Sequence, residues 1–176
     1  MDEIKGVARP SHRSLGACVA VLLLAGCDRQ PEPKGEPHLP AATDVGGGRY
    51  LVVIGGCNDC HTPGWTQNGG QTPEAQWLTG KAVAWRGPWG STYASNLRLL
   101  VQSMSEDQWA TMLRTRRDRP PMPWMNVNRM HDADARAVYR YLRALGPAGE
   151  PTPAGLPPGV EPKTPYIPLE PPQAPR

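Results

Sequence analysis

The sequence of 176 residues contains no phenylalanine, and its 22 prolines are unevenly spread. Four prolines lie between Pro31 and Pro40, and eleven lie between Pro147 and Pro175. These features exclude one hydrophobic core that runs through the whole chain. They leave a proline-poorer block of about a hundred residues, 45–146, as one small domain.

The sequence also has little excess charge and no long apolar run. The formal net charge is +3, so nothing in the charge indicates a nucleic-acid partner. The apolar run at 15–26 is shorter than the roughly 20 residues that a membrane-spanning helix needs. Basic residues precede this run and small residues end it, which is the layout of a secretory signal. We therefore expect residues 1–26 to direct export of the protein across a membrane.

Cysteine is scarce, with four residues in the chain and no pair left over for a structural disulfide. Cys18 lies within the export segment, and Cys27 ends it. Leu24-Ala25-Gly26-Cys27 resembles the bacterial lipobox, which implies a lipid on Cys27 and anchoring to the periplasmic side of a bacterial membrane. An ordinary cleaved signal and an uncleaved anchor are the alternatives. Residues 27–44 lack apolar bulk and are rich in proline, so they are expected to form an extended tether.

The other two cysteines belong to the motif Cys57-Asn58-Asp59-Cys60-His61. A spacing of three places both thiols on one side of a helical turn, where they can add to the two vinyl groups of a haem. His61 follows directly and can bind the iron as proximal ligand. A thioredoxin-like site would need a βαβ context, and a zinc site would need a second ligand pair. The motif therefore predicts one covalently bound haem c with its iron.

The residue that faces His61 across the iron is less obvious. The possibilities are water, no ligand, or one of seven side chains: Met104, Met112, Met122, Met125, Met130, His38 and His131. Met112 follows a Ser-x-x-Gln capping box at helical spacing, which favours a core position. Prolines on both sides of Met122 exclude helix and predict a stiff irregular loop. We therefore predict Met122 as the distal ligand, with Met125, Met130 and His131 as alternatives.

Two longer segments predict helices that would enclose the site. Residues 45–56 have apolar residues at helical spacing, with a buried strand as the alternative. Residues 132–145 carry one apolar stripe, begin with acidic residues, end with basic ones and are followed by Gly146-Pro147. We expect the second helix to pack on the first and to close the haem crevice.

Five segments resemble class I cytochromes c and occur in the same order as in that family. They are Gly48-Arg49-Tyr50-Leu51-Val52, the Cys57–His61 motif, Tyr93–Leu97, Pro121–Trp124 and Tyr139–Leu142. The resemblance covers about 45–146 and is strongest to the small cytochromes and haem subunits that accompany periplasmic dehydrogenases. It implies an all-α fold around one haem, held by Cys57, Cys60, His61 and Met122. The chain departs from the family where Arg98–Met104 replaces a Thr-Pro step and a glycine-rich loop.

These residues predict a mono-haem electron carrier, not an enzyme in its own right, in a periplasmic or membrane-surface chain. The alternatives are a haem subunit bound to a dehydrogenase or oxidase, and a haem enzyme or gas sensor with an open sixth position. All but the last require a redox protein partner. The basic cluster before Met122 either steers an acidic partner or serves as a solvated helix end or propionate partner. The tail, residues 147–176, either wraps the domain or is disordered.

Overall fold

The first helix begins at an aspartate cap. The computed structural model describes residues 44–170, and in it α1 spans Val45–Ile54. The Asp44 carboxylate accepts a hydrogen bond of 2.7 Å from the Gly47 N–H, which satisfies one of the unpaired donors of the first turn. The predicted helix at this position is therefore confirmed, and the strand alternative is wrong.

Five more α-helices follow along the described chain: α2 (Cys57–His61), α3 (Leu97–Leu100), α4 (Glu106–Thr115), α5 (Trp124–Val127) and α6 (Asp132–Leu145). Short 3-10 turns lie at Glu74–Gln76 and Val101–Ser103. The predicted capping box opens α4: the Gln108 N–H donates to Ser105 Oγ over 3.2 Å, and the Ser105 N–H donates to Gln108 Oε1 over 2.8 Å. Helix α6 has the predicted bounds, so both helices are confirmed.

Within residues 44–170, three short strands form a mixed sheet, and the predicted all-α fold is therefore wrong. β1 (Ala84–Gly87) pairs antiparallel with β2 (Gly90–Tyr93) and parallel with β3 (Tyr166–Pro168). Gly90, with φ at +98°, allows the tight turn between β1 and β2. β3 lies some 80 residues beyond β1 in the proline-rich tail, where no local pattern predicts a strand.

The core lies where α1 crosses α6, as predicted. Val52 and Leu142 are fully buried there, and Tyr141 is nearly so. Gly48 permits the close approach, because a Cβ on it would overlap with the Ala137 carbonyl and lie 2.9 Å from Tyr141 Cβ. Any larger residue at position 48 would push the two helices apart.

A buried arginine occupies the segment that departs from the family pattern. Arg98 is 5% exposed and donates to Ala75 O at 2.7 Å, to Gly146 O at 2.6 Å and to Leu145 O. Its charge thus lies at the C-terminal end of α6, where the unpaired carbonyls of a helix favour a cation. Within residues 44–170, no helix has the length and apolar character needed to cross a membrane.

Candidate functional site

The cysteine motif forms the short helix α2, directly after α1. Gly56 makes the turn between them with φ at +65°, a conformation that glycine adopts without strain. The Thr62 hydroxyl donates to Asn58 Oδ1 over 2.6 Å and accepts from the Leu78 N–H over 2.8 Å. The Gly80 N–H donates to the His61 carbonyl over 2.7 Å. These bonds hold α2 to residues 78–80.

The thiols of Cys57 and Cys60 are not joined to each other and are partly buried. Burial raises the pKa of the Cys57 thiol to about 11. Burial also raises the pKa of the Cys60 thiol, and the positive charge of Lys81 opposes that shift. Both groups are thus protonated at neutral pH, one helical turn apart, as two thiols available for thioether bonds.

His61 is held as a neutral imidazole with one free ring nitrogen. Its side chain is 7% exposed, and Nδ1 lies 2.8 Å from the Ser95 carbonyl oxygen. A carbonyl can only accept, so Nδ1 carries the proton and Nε2 keeps its lone pair. Burial lowers the pKa of the imidazole, which keeps the ring neutral near pH 7. The geometry therefore offers one neutral nitrogen ligand next to two thiols.

These groups fit a haem better than a bare metal ion. Among residues 44–170, no three His, Cys, Asp or Glu side chains are arranged to hold one ion, as a zinc site would require. Trp124 Nε1 is buried without a hydrogen-bond acceptor among the described residues. A haem propionate is an acceptor of the kind that this donor lacks. Two free thiols one helical turn apart and a neutral imidazole are thus compatible with a porphyrin that would be held by two thioethers.

The predicted distal ligand lies on an irregular segment between α4 and α5. Met122 is half-buried, and its carbonyl accepts from the Trp124 N–H over 2.8 Å. Thr92 Oγ1 donates to the Pro120 carbonyl over 2.6 Å. Met125 is 72% exposed, whereas the three other described methionines pack against the core: Met104, Met112 and Met130. Met122 is thus the methionine that prolines hold on a loop.

The remaining predicted residues lie elsewhere. His131 caps α6, because its Nδ1 accepts from the Ala133 N–H over 3.2 Å. This contact matches a capping role for His131. His38, Cys18 and Cys27 lie outside the described residues, as do the predicted signal and nearly all of the predicted tether.

The basic cluster before Met122 consists of Arg114, Arg116, Arg117 and Arg119, and most of it is engaged within the domain. Arg114 pairs with Asp132 at 3.3 Å and Arg116 with Asp118 at 2.7 Å. Arg119 donates to Leu156 O over 2.7 Å. Among the described residues, Arg117 alone of the four has no hydrogen-bond or ion-pair partner. This pattern favours a structural role over a free positive ring.

The sequence did not identify the residues that contact the segments carrying the predicted ligands, His61 and Met122. Ser95 orients His61, Thr92 holds Pro120, and Lys81 Nζ donates to the Asp59 carbonyl over 2.5 Å. Ser95 and Thr92 come from one short stretch, strand β2 and the residues after it. The Tyr93–Leu97 resemblance marked this stretch, but nothing in the sequence showed what its side chains and carbonyls contact.

No protein-family model matches the chain, and no solved structure matches it significantly. Over 153 residues it is 30% identical to the fructose dehydrogenase cytochrome subunit of Gluconobacter japonicus. That alignment covers 80% of this chain but 29% of the relative, so the chain spans less than a third of that protein's length. This match confirms a distant similarity to a cytochrome subunit of a dehydrogenase. The membership of class I and the lipoprotein signal stay predictions.

Proposed function

We propose that the protein is a mono-haem c-type cytochrome that carries single electrons. Cys57 and Cys60 bind the haem covalently, His61 is the proximal ligand, and Met122 is the distal ligand. The observation that carries the proposal is the buried, neutral His61, oriented by the Ser95 carbonyl and placed next to two unpaired thiols. The bound haem would supply an iron that cycles between the ferric and ferrous states.

The chain's own residues would prepare that iron for electron transfer. Ser95 fixes the tautomer and orientation of His61 and so raises its strength as a ligand. The partial burial of Met122 on a proline-flanked loop suits a thioether, a weak ligand whose position must come from the protein. With His61 and Met122 both bound to it, the iron would leave no position open to a substrate, which favours an electron carrier over a haem enzyme.

A second candidate function is that of a haem subunit held permanently by a dehydrogenase. The similarity to a cytochrome subunit of fructose dehydrogenase favours it. Because the chain spans 29% of that relative, the match does not identify the substrate of any dehydrogenase that this chain would serve. The two functions share the same site and differ in whether the protein leaves its electron donor.

We further propose that the protein acts at the periplasmic side of a bacterial membrane, anchored by a lipid on Cys27. Residues 1–26 would be the signal, residues 27–44 the tether, residues 45–146 the haem domain and residues 147–176 the tail. Labelled palmitate should enter the wild-type chain and a Cys18→Ala variant but not a Cys27→Ala variant. Label retained by Cys27→Ala would contradict the anchor.

The test of the function uses the full chain, produced in a bacterium that attaches haem c. We expect one haem per chain that acidified organic solvent does not extract, and a reversible one-electron redox titration. Extraction of the haem by that solvent would contradict the covalent site. Purification in mild detergent then separates the two candidates, because a permanent subunit brings a dehydrogenase with it in equal amount and a free carrier does not.

A further inference from the structure

Part of the C-terminal tail contacts segments that neighbour both proposed iron ligands. We call residues 148–169 the strap. At its start, Asn96 Nδ2 donates to the Ala148 carbonyl over 2.8 Å and to the Glu150 carbonyl over 3.2 Å. Asn96 directly follows Ser95, whose carbonyl orients His61. The start of the strap is therefore bound to the segment that fixes the proximal ligand.

The next residues of the strap reach a second segment that contacts His61. Thr152 packs closely against Gly80, because a Cβ on Gly80 would lie 2.5 Å from Thr152 Cγ2. The Gly80 N–H donates to the His61 carbonyl over 2.7 Å. The strap thus contacts two residues at or next to the partners of His61. Asn96 follows Ser95, which bonds to the ring of His61, and Gly80 bonds to its backbone carbonyl.

Further along, the strap meets the loop that carries Met122. Leu156 exchanges two backbone hydrogen bonds of 3.0 Å with Ser91 of β2. The Leu156 carbonyl also accepts from Arg119 Nη1 over 2.7 Å. Arg119 directly precedes Pro120, whose carbonyl Thr92 holds. Leu156 of the strap therefore binds both β2 and the residue that precedes the Met122 loop.

The end of the strap is fixed to the sheet. Strand β3 pairs with β1, and the Ala84 N–H donates to the Pro165 carbonyl over 2.9 Å. The hydroxyls of Tyr93 and Thr164 lie 2.7 Å apart, within hydrogen-bond distance. The strap is therefore bonded to the domain at its start, middle and end.

We propose that the strap positions the two iron ligands relative to each other, by holding the His61 side and the Met122 loop to one β-hairpin. This inference rests on the proposed ligation of the iron by His61 and Met122. The bond from iron to a thioether sulfur is weak, so it forms only where the protein holds the methionine in place. Arg119 is the positioning residue that joins the Met122 loop to the strap.

The test compares variants of the full haem-loaded protein. A chain that ends at Pro147 and an Arg119→Leu variant should keep covalent haem but lose amplitude in the weak sulfur-to-iron charge-transfer band. Arg119→Leu removes one hydrogen bond from a charged donor. It should therefore raise about tenfold the fraction of protein in which Met122 is not bound to the iron. The initial rate of carbon monoxide binding to the ferrous protein, which follows that fraction, should rise by the same factor. Arg119→Lys keeps a charged donor and should lie between Arg119→Leu and wild type.

Two matched controls isolate the strap. Arg117→Leu removes a neighbouring arginine that has no hydrogen-bond or ion-pair partner among the described residues, and a chain ending at Glu170 retains the whole strap. Both should match the wild type in the charge-transfer band and in the rate of carbon monoxide binding. Where the shortened chain does not accumulate, Arg119→Leu against Arg117→Leu decides the question.

The proposal is overturned if Arg119→Leu, or the shortened chain with its haem attached, keeps the wild-type band and the wild-type rate. A wild-type protein without the band would contradict Met122 ligation itself and, with it, the role of the strap. In that case haem content and the one-electron titration would still report separately on the proposed electron carrier.

Discussion

The Cys57–His61 helix and the Pro120–Pro123 loop, the two halves of the proposed site, are held in different ways. The helix follows α1 directly, and its residue Cys57 packs against the core cluster that contains Val52 and Leu142. Residues 120–123 are not part of the described core cluster. Instead, Thr92 of β2 donates to the Pro120 carbonyl, and Arg119, the residue before the loop, donates to the distant Leu156 carbonyl. The proximal half is thus secured by packing together with hydrogen bonds to residues 78–80 and Ser95, whereas the distal half relies on a few long-range polar contacts.

This difference predicts that the two halves fail separately. Damage to the core should unfold the domain and with it the proximal half, because packing is cooperative. Damage to the polar contacts should release Met122 and leave the haem attached, because local openings need less free energy than global unfolding. Substitutions in each half test this separation.

The largest effect is expected at the thiols. A Cys57→Ser/Cys60→Ser double variant cannot form thioethers, so haem should no longer remain with the chain after denaturing electrophoresis. Peroxidase staining of the gel measures this. A Cys18→Ser variant is the control and should stain as the wild type does. Haem retained by the double variant after denaturation would show that the attachment lies elsewhere.

The next effect is expected at the helix crossing. Gly48→Ala places a Cβ against the Ala137 carbonyl and Tyr141 and should lower the free energy of unfolding by about 3 kcal/mol. Urea unfolding monitored by haem absorbance measures this change.

Gly46→Ala is the matched control on the same helix. A Cβ there would meet only Asp44 Oδ1, at 3.4 Å, and alanine favours helix by up to about 1 kcal/mol. Its stability should therefore equal or exceed that of the wild type. Equal losses in the two variants would show that the crossing is not tightly packed.

A smaller, pH-dependent effect is expected at Glu74, which joins α1 to α6. Its carboxylate accepts from Arg49 Nε at 3.0 Å and from the Tyr141 hydroxyl at 2.7 Å, and the hydrogen bond from Arg49 is the main cause of its lowered pKa. An acid with a lowered pKa stabilises the fold above its unfolded pKa, and that stability is lost as the pH falls through the folded pKa.

Glu74→Gln should therefore cost about 1 kcal/mol at pH 7, a modest value because the pair is partly exposed. The difference from wild type should shrink once the pH falls below about 4.5, as measured by urea midpoints across pH. Asp107→Asn is the control away from the site. It removes the charge of Asp107 on α4, which is an exposed ion-pair partner of Arg136 on α6. A difference that stays constant down to pH 3 would show that the charge of Glu74 is not responsible.

Local patterns in the sequence were enough to predict the proximal half. The motif spacing identifies Cys57, Cys60 and His61 because their geometry is set within one helical turn. The capping box at Ser105 and the apolar stripe of α6 likewise act within a few residues, so the helices that they predict are confirmed. The proposed roles of these residues stay predictions until the haem is measured.

The distal half and the sheet could not be predicted in this way. Strand β3 forms by pairing with β1, which lies about 80 residues earlier in the chain. The proline-rich sequence around β3 has no strand pattern of its own. Thr92, Ser95 and Arg119 have ordinary local surroundings, and their importance comes only from partners in other segments. The all-α prediction was wrong for the same reason, since the sheet depends on long-range pairing.

The claim that Met122 completes an iron site begun by His61 predicts a spectral difference between two methionine variants. Ferric Met122→Ala and Met125→Ala proteins are compared for the weak sulfur-to-iron charge-transfer band, with haem content equal in both. We expect Met122→Ala to lose the band and Met125→Ala, whose side chain is 72% exposed, to retain it. Loss of the band in Met125→Ala with retention in Met122→Ala would contradict the claim.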